Sequence, residues 1–98
     1  MEIKKTKEGE ALKLELAGRL DTTTAPQLEA EVTAIDAGVK ALEFDFAGLE
    51  YVSSAGLRVL LAAQKLMNKQ GSMVLKNVRP EIMEVFEITG FADILTIQ

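Results

Sequence analysis

"YVSSAGLRVLL", residues 51–61, is where the apolar pattern of this chain changes period. Upstream, "ALEFDFAG" (41–48) sets Leu42, Phe44 and Phe46 against Glu43 and Asp45, the period-two alternation of a strand with one buried face. Downstream, residues 55–70 place Val59, Leu60, Ala63, Leu66 and Met67 on one side of a helix and Arg58, Lys65 and Lys69 on the other. "SMVLKNV" (72–78) then reads as a strand again. A strand, a helix and a strand in that order predict a crossover and parallel pairing in one sheet. The wheel predicts that Leu60 and Met67 are buried and that Arg58, Lys65 and Lys69 face solvent.

The flanks extend the pattern. "ALKLELAG" (11–18) alternates Leu12, Leu14 and Leu16 with Lys13 and Glu15, and Met1–Thr6 pairs with it as a hairpin through Lys7-Glu-Gly-Glu10. In "DTTTAPQLEAEVTAIDAG", Thr24 and Gln27 have capping-box spacing, Pro26 fits a first turn, and Leu28, Val32 and Ile35 share a helical face that Gly38 ends. "RPEIMEVFEITGF" predicts a short helix with Pro80 in its first turn, and "DILTI" (93–97) predicts a closing strand. The expected fold is a single α/β domain over residues 1–98. Its order is β-β-α-β-α-β-α-β, with a small mixed sheet and helices packed mainly on one side.

Composition restricts the chemistry. With 48% apolar and 27% charged residues in 98, the chain has enough apolar surface for one core. A net charge of −4 without a Lys/Arg cluster argues against direct nucleic-acid binding or adhesion to an anionic membrane. There is no cysteine for disulfides or thiolate chemistry and no histidine for proton shuttling or imidazole metal ligation. No apolar run approaches the length of about 20 residues that a span needs, and no signal peptide is evident, so a cytoplasmic location is expected and no membrane insertion.

The two serines admit two uses. As N-cap, Ser53 or Ser54 accepts a hydrogen bond from a first-turn N–H, worth on the order of 1 kcal/mol. One cap accounts for one serine. The other hydroxyl is left exposed at a helix N-terminus, where a phosphate of charge near −2 sits in a favourable field without unfolding the helix. Leu57 and Leu61, on the flank of the helix beside the serines, are expected to be partly exposed and to anchor a partner. Asp21 precedes the Thr22-Thr23-Thr24 cap region and suits the dipole of the first helix.

"FDFAGLEYVSSAGLRVLLAAQKL" resembles the central block of the STAS family, the bacterial anti-sigma factor antagonists, whose pattern runs strand, loop, Asp-Ser-Ser/Thr-Gly-Leu, helix. "LAGRLDTTTAPQLEAEV" is similar to the family's strand, Gly-x-Leu-Asp loop and first helix, and "FEITGFADILTI" to its closing elements. Placing Gly56 on the motif's glycine puts Ser54 on the phosphoacceptor, Ser53 on the acidic residue and Ala55 on the second hydroxyl residue. These last two depart from the pattern, and Ser53 becomes a secondary candidate for the phosphate. The resemblance implies a partner-binding surface of Asp21, Thr22, Ser53, Ser54, Gly56, Leu57, Arg58 and Leu61, with Asp21 and Ser54 at the same end of the sheet.

It further implies a binding module with no catalytic residues, metal or cofactor of its own. The unphosphorylated form would capture an anti-sigma serine kinase and free a sigma factor, controlling transcription indirectly by partner switching. The kinase, with its own ATP and magnesium, would modify Ser54, and a serine phosphatase would reset the switch. Two alternatives remain: an unphosphorylated STAS scaffold, for example one docked on a transporter ATPase, and a Ser-Lys hydrolase using Lys65 or Lys69. The hydrolase is disfavoured because both lysines lie more than two helical turns from Ser54.

Overall fold

The alternating segments become four strands in the computed structural model, which describes Met1–Gln98: β1 (Glu2–Glu8), β2 (Ala11–Leu20), β3 (Ala41–Val52) and β4 (Ser72–Lys76). Between and after them come three helices, α1 (Ala25–Thr33), α2 (Ser54–Gln70) and α3 (Pro80–Thr89). The sheet order is β1-β2-β3-β4, with β1 antiparallel to β2 and the other two pairs parallel. Each parallel crossover therefore advances one strand in the same direction. Crossovers of one hand then put α1 and α2 on the same face of the sheet.

That face holds the core. Leu12, Leu14, Leu16 and Leu20 of β2, Leu42, Phe44 and Phe46 of β3, and Met73 and Leu75 of β4 are buried beneath Leu28 of α1, Leu60 and Met67 of α2, and Ile82 and Phe86 of α3. Arg58, Lys65 and Lys69 are exposed, as the wheel predicts. The opposite face carries ion pairs across neighbouring strands, Lys13 of β2 to Glu43 of β3 at 3.8 Å and Lys76 of β4 to Glu43 at 3.2 Å, and no helix covers it. No helix of the structure is long and apolar enough to cross a membrane.

Five details differ from the sequence reading. β3 continues to Val52 rather than ending at Gly48, because two bulges relative to β2 carry the pairing past the break in alternation. At the first bulge the Ala47 N–H donates to Asp45 Oδ1 at 2.9 Å, and the Ala47 carbonyl accepts from Arg79 Nε and Nη2 at 3.1 and 3.0 Å, so neither backbone group is orphaned. α1 stops at Thr33, before Gly38, leaving Ile35 outside the helix but packed against the core. Thr24 forms no capping box, since its hydroxyl donates to the Arg19 carbonyl at 2.8 Å and Gln27 Nε2 reaches the Met1 carbonyl at 3.1 Å. Leu57 is buried rather than partly exposed, because the first turn of α2 rests on the ends of the strands.

The fifth difference is the closing strand. After Gly90 a 3-10 turn takes up Phe91–Asp93, and the following residues meet β4 only at one parallel bridge, Ile97 with Leu75. Two hydrogen bonds make it, from Leu75 N–H to the Thr96 carbonyl and from Gln98 N–H to the Leu75 carbonyl, both 2.9 Å.

Candidate functional site

The carboxyl ends of β2 and β3 are tied together. Leu20 and Val52 are register partners, and the next N–H of β3's exit, that of Ser53, donates to the Leu20 carbonyl at 2.9 Å. The loops beginning at Asp21 and at Ser53 therefore leave the sheet side by side, at one end of it.

In the first loop Asp21 is an organiser. Its Oδ1 accepts from the Thr23 hydroxyl at 2.7 Å and from the backbone N–H groups of Thr23 and Thr24 at 3.0 and 3.2 Å. The Thr23 hydroxyl chiefly, with these N–H groups, outweighs desolvation and holds the carboxyl below its ordinary value of 3.8. Asp21 is thus an ionised carboxylate that rigidifies the turn into α1. Thr23 was not singled out from sequence. The signal is the Asp-x-Thr spacing, at which an aspartate side chain closes on the residue two positions on.

The second loop divides the work between the serines. Ser53 has extended backbone (φ −96°, ψ 174°), and its Oγ accepts from the Gly56 N–H at 3.3 Å, making it the N-cap of α2. Ser54 is the first helical residue, exposed, and its hydroxyl makes no hydrogen bond within the chain. The cap bond is long, so Ser53→Ala is expected to cost about 0.5–1 kcal/mol, the lower part of the cap range, and Ser54→Ala less than about 0.5 kcal/mol. Urea titration of the two variants measures this; a larger loss at Ser54 would assign the cap to the wrong serine.

Gly56 is buried, and a Cβ on it would lie 2.6 Å from Leu20 Cγ and 3.1 Å from Val52 Cγ2. Its absent side chain is what lets α2 start directly on the strand ends. Gly56 and Leu57 therefore position the site from within, and neither offers a side chain to a partner. Thr22, Ser54 and Arg58 are exposed, while Asp21, Ser53 and Leu61 are half-buried. Between the N-terminal halves of α1 and α2 runs a shallow cleft of about 260 Å³, with Thr22, Pro26 and Glu29 on one side and Ala55 and Arg58 on the other.

Lys65 lies eleven residues beyond Ser54 on α2, roughly 16 Å along the axis, and Lys69 is a further turn away. Neither reaches the Ser54 hydroxyl to take its proton. What the arrangement offers is an exposed hydroxyl on a rigid end face, held by a cap and a carboxylate-ordered turn.

Comparison with known proteins agrees with the fold. A protein-family model described as "Mlab, STAS domain" matches residues 3–96. The chain is 45% identical over 84 residues to BtrV of Bordetella bronchiseptica, covering 84% of this chain and 72% of that protein. It is 35% identical over 86 residues to the anti-sigma-B factor antagonist of Listeria monocytogenes, covering 85% of this chain and 75% of that one. Among solved structures it resembles the phosphorylated form of the Bacillus cell fate determinant SpoIIAA, with a TM-score of 0.77 at 20% identity over 99% of this chain and 91% of the other.

Proposed function

Because this chain belongs to the STAS domain family, we propose that it is an anti-sigma factor antagonist that binds an anti-sigma serine kinase and is released by phosphorylation of Ser54. Antagonists of this family are regulatory binding proteins, not enzymes. The observation that carries the reading is the division between the serines: Ser53 is committed to capping α2, and Ser54 stands exposed and unbonded beside it.

Phosphate on Ser54 suits the fold and opposes the complex. The dianion lies in the favourable field of the α2 N-terminus, so the helix persists. A partner closing over Thr22, Ser54 and Arg58 would have to strip that dianion of water or meet it with its own carboxylates. The kinase brings ATP and magnesium, and a separate phosphatase restores the hydroxyl. The antagonist reading is favoured over a never-phosphorylated scaffold by the name of the Listeria relative and by the existence of SpoIIAA in a phosphorylated form. Ser53 stands where the family has an acidic residue, so activation of Ser54 rests on the kinase, while Asp21 keeps the neighbouring turn rigid.

Incubating the chain with ATP and the purified anti-sigma kinases of its own genome, followed by fragment-ion mass spectrometry, locates the phosphate. Phosphate on Ser54 is the expected result. Phosphate confined to Ser53, or absent from both serines, removes the switch.

A further inference from the structure

The second bulge turns two side chains out of the core. β3 spends two residues, Leu49 to Tyr51, where β2 spends one, Gly18 to Arg19, so that Glu50 and Tyr51 are both exposed between buried Leu49 and Val52. Bulges of this kind re-aim side chains. Tyr51 lands opposite Arg19, whose guanidinium carbon lies 4.2 Å from the centre of the ring. Arg19 Nε is also 3.8 Å from Asp21 Oδ2. The guanidinium is thus held on one side by the ring and at its inner edge by the carboxylate. Its Nη groups make no hydrogen bond within the chain, and its side chain is 59% exposed.

The geometry points to Arg19 and Tyr51 as a preformed anchor that receives a carboxylate of the protein partner, extending the binding face from the α2 N-terminus onto the uncovered face of the sheet. It rests on the partner-binding reading above. Arginine and tyrosine are the side-chain types that concentrate binding energy at interfaces. Here both are ordered before binding, which reduces the side-chain freedom lost on association. The occupant is a carboxylate because the available donors are the outward Nη groups, a fork that matches carboxylate geometry. Arg58 on the adjoining end face, exposed and without an ion pair, has the same preference. A partner surface with carboxylates for Arg19 and Arg58 is also one that a Ser54 phosphate repels, so the anchor and the switch call for the same chemistry.

A pair that served the sheet alone would change thermal stability and leave the affinity of the folded protein untouched. The test is calorimetric titration of the anti-sigma kinase against the full chain and its Arg19→Ala, Tyr51→Ala and doubly substituted forms. Arg19→Gln and Tyr51→Phe serve as milder replacements, and circular dichroism establishes that each form is folded. Each single alanine is expected to weaken binding at least tenfold, and the double substitution by less than the product of the two. The loss at Arg19 should shrink at high salt, because the lost contact is charged. If the unmodified chain binds and the variants bind within twofold of it, the anchor is refuted while the antagonist reading stands. If the unmodified chain binds no anti-sigma kinase, both fail.

Discussion

Ser54→Asp is expected to fold as stably as the unmodified chain and to bind the anti-sigma kinase about 100-fold more weakly. The fold survives because position 54 is exposed, makes no side-chain hydrogen bond, and is the first residue of α2, where a carboxylate meets the positive end of the helix dipole. Ser53 keeps the cap, so the helix start does not move. Binding suffers because a charge at the centre of the contact face is either desolvated without a partner or set against like charge. A cost of ~3 kcal/mol for such an unpaired interfacial charge corresponds to roughly 100-fold in Kd. Ser54→Ala is the control, removing the hydroxyl without adding charge, and it should bind like the unmodified chain while resisting phosphorylation. A Ser54→Asp form that bound as tightly as the parent would show that charge at this position does not reach the interface.

Gly71→Ala is expected to produce the largest loss of stability from a single methyl group. Gly71 joins α2 to β4, where its N–H donates to the Met67 carbonyl at 2.7 Å and the next N–H, that of Ser72, donates to the Lys40 carbonyl at 2.9 Å. A Cβ at this position would lie 1.9 Å from the Lys40 carbonyl oxygen and 2.6 Å from its carbon. Both obstacles are backbone, so no rotamer change relieves the contact. Lys40 itself is fixed, its N–H and that of Ala41 both donating to the Glu10 carbonyl at 2.8 and 3.2 Å. The strain must therefore displace the entry of β3 or of β4. A loss of about 3 kcal/mol, the upper part of the overpacking range, is expected in urea denaturation, and a fall in Tm on the order of 15 °C. A loss below about 1 kcal/mol would contradict the close approach of these three segments. Gly56→Ala should cost less, because its nearest obstacles are side-chain atoms of Leu20 and Val52.

The fold was legible wherever one period held. Leu12, Leu14 and Leu16, and Leu42, Phe44 and Phe46, alternate because each lies on an unbroken strand with a single buried face, and the α2 wheel placed Leu60 and Met67 inward for the same reason. Legibility failed where geometry outside the segment intervened. After Phe46 the buried residues of β3 are Leu49 and Val52, spaced by three rather than two, and only the pairing with β2 reveals this as a bulged strand. Leu57 looked exposed on a wheel that treats burial as one arc along the helix, but the first turn of α2 is also covered end-on by the strand ends beneath Gly56. The Thr24-Gln27 spacing was that of a capping box, yet the Thr24 hydroxyl is taken by the carbonyl of Arg19, a residue of the preceding strand.

The site was legible by position and not by role. The family resemblance placed Asp21 and Ser54 at one end of the sheet, and parallel pairing of Leu20 with Val52 brings their loops together. Which serine caps the helix depends on a backbone angle at Ser53, and residue types alone left it open. Arg19 and Tyr51 escaped notice because they are adjacent only through the register between β2 and β3.

The measurement that tests the central claim most directly is a calorimetric titration of the anti-sigma kinase against two preparations of this chain, one unmodified and one carrying phosphate on Ser54. The unmodified chain is predicted to bind, and the phosphorylated chain to bind about 100-fold more weakly with its far-ultraviolet circular dichroism unchanged. Equal affinities for the two preparations would contradict the account.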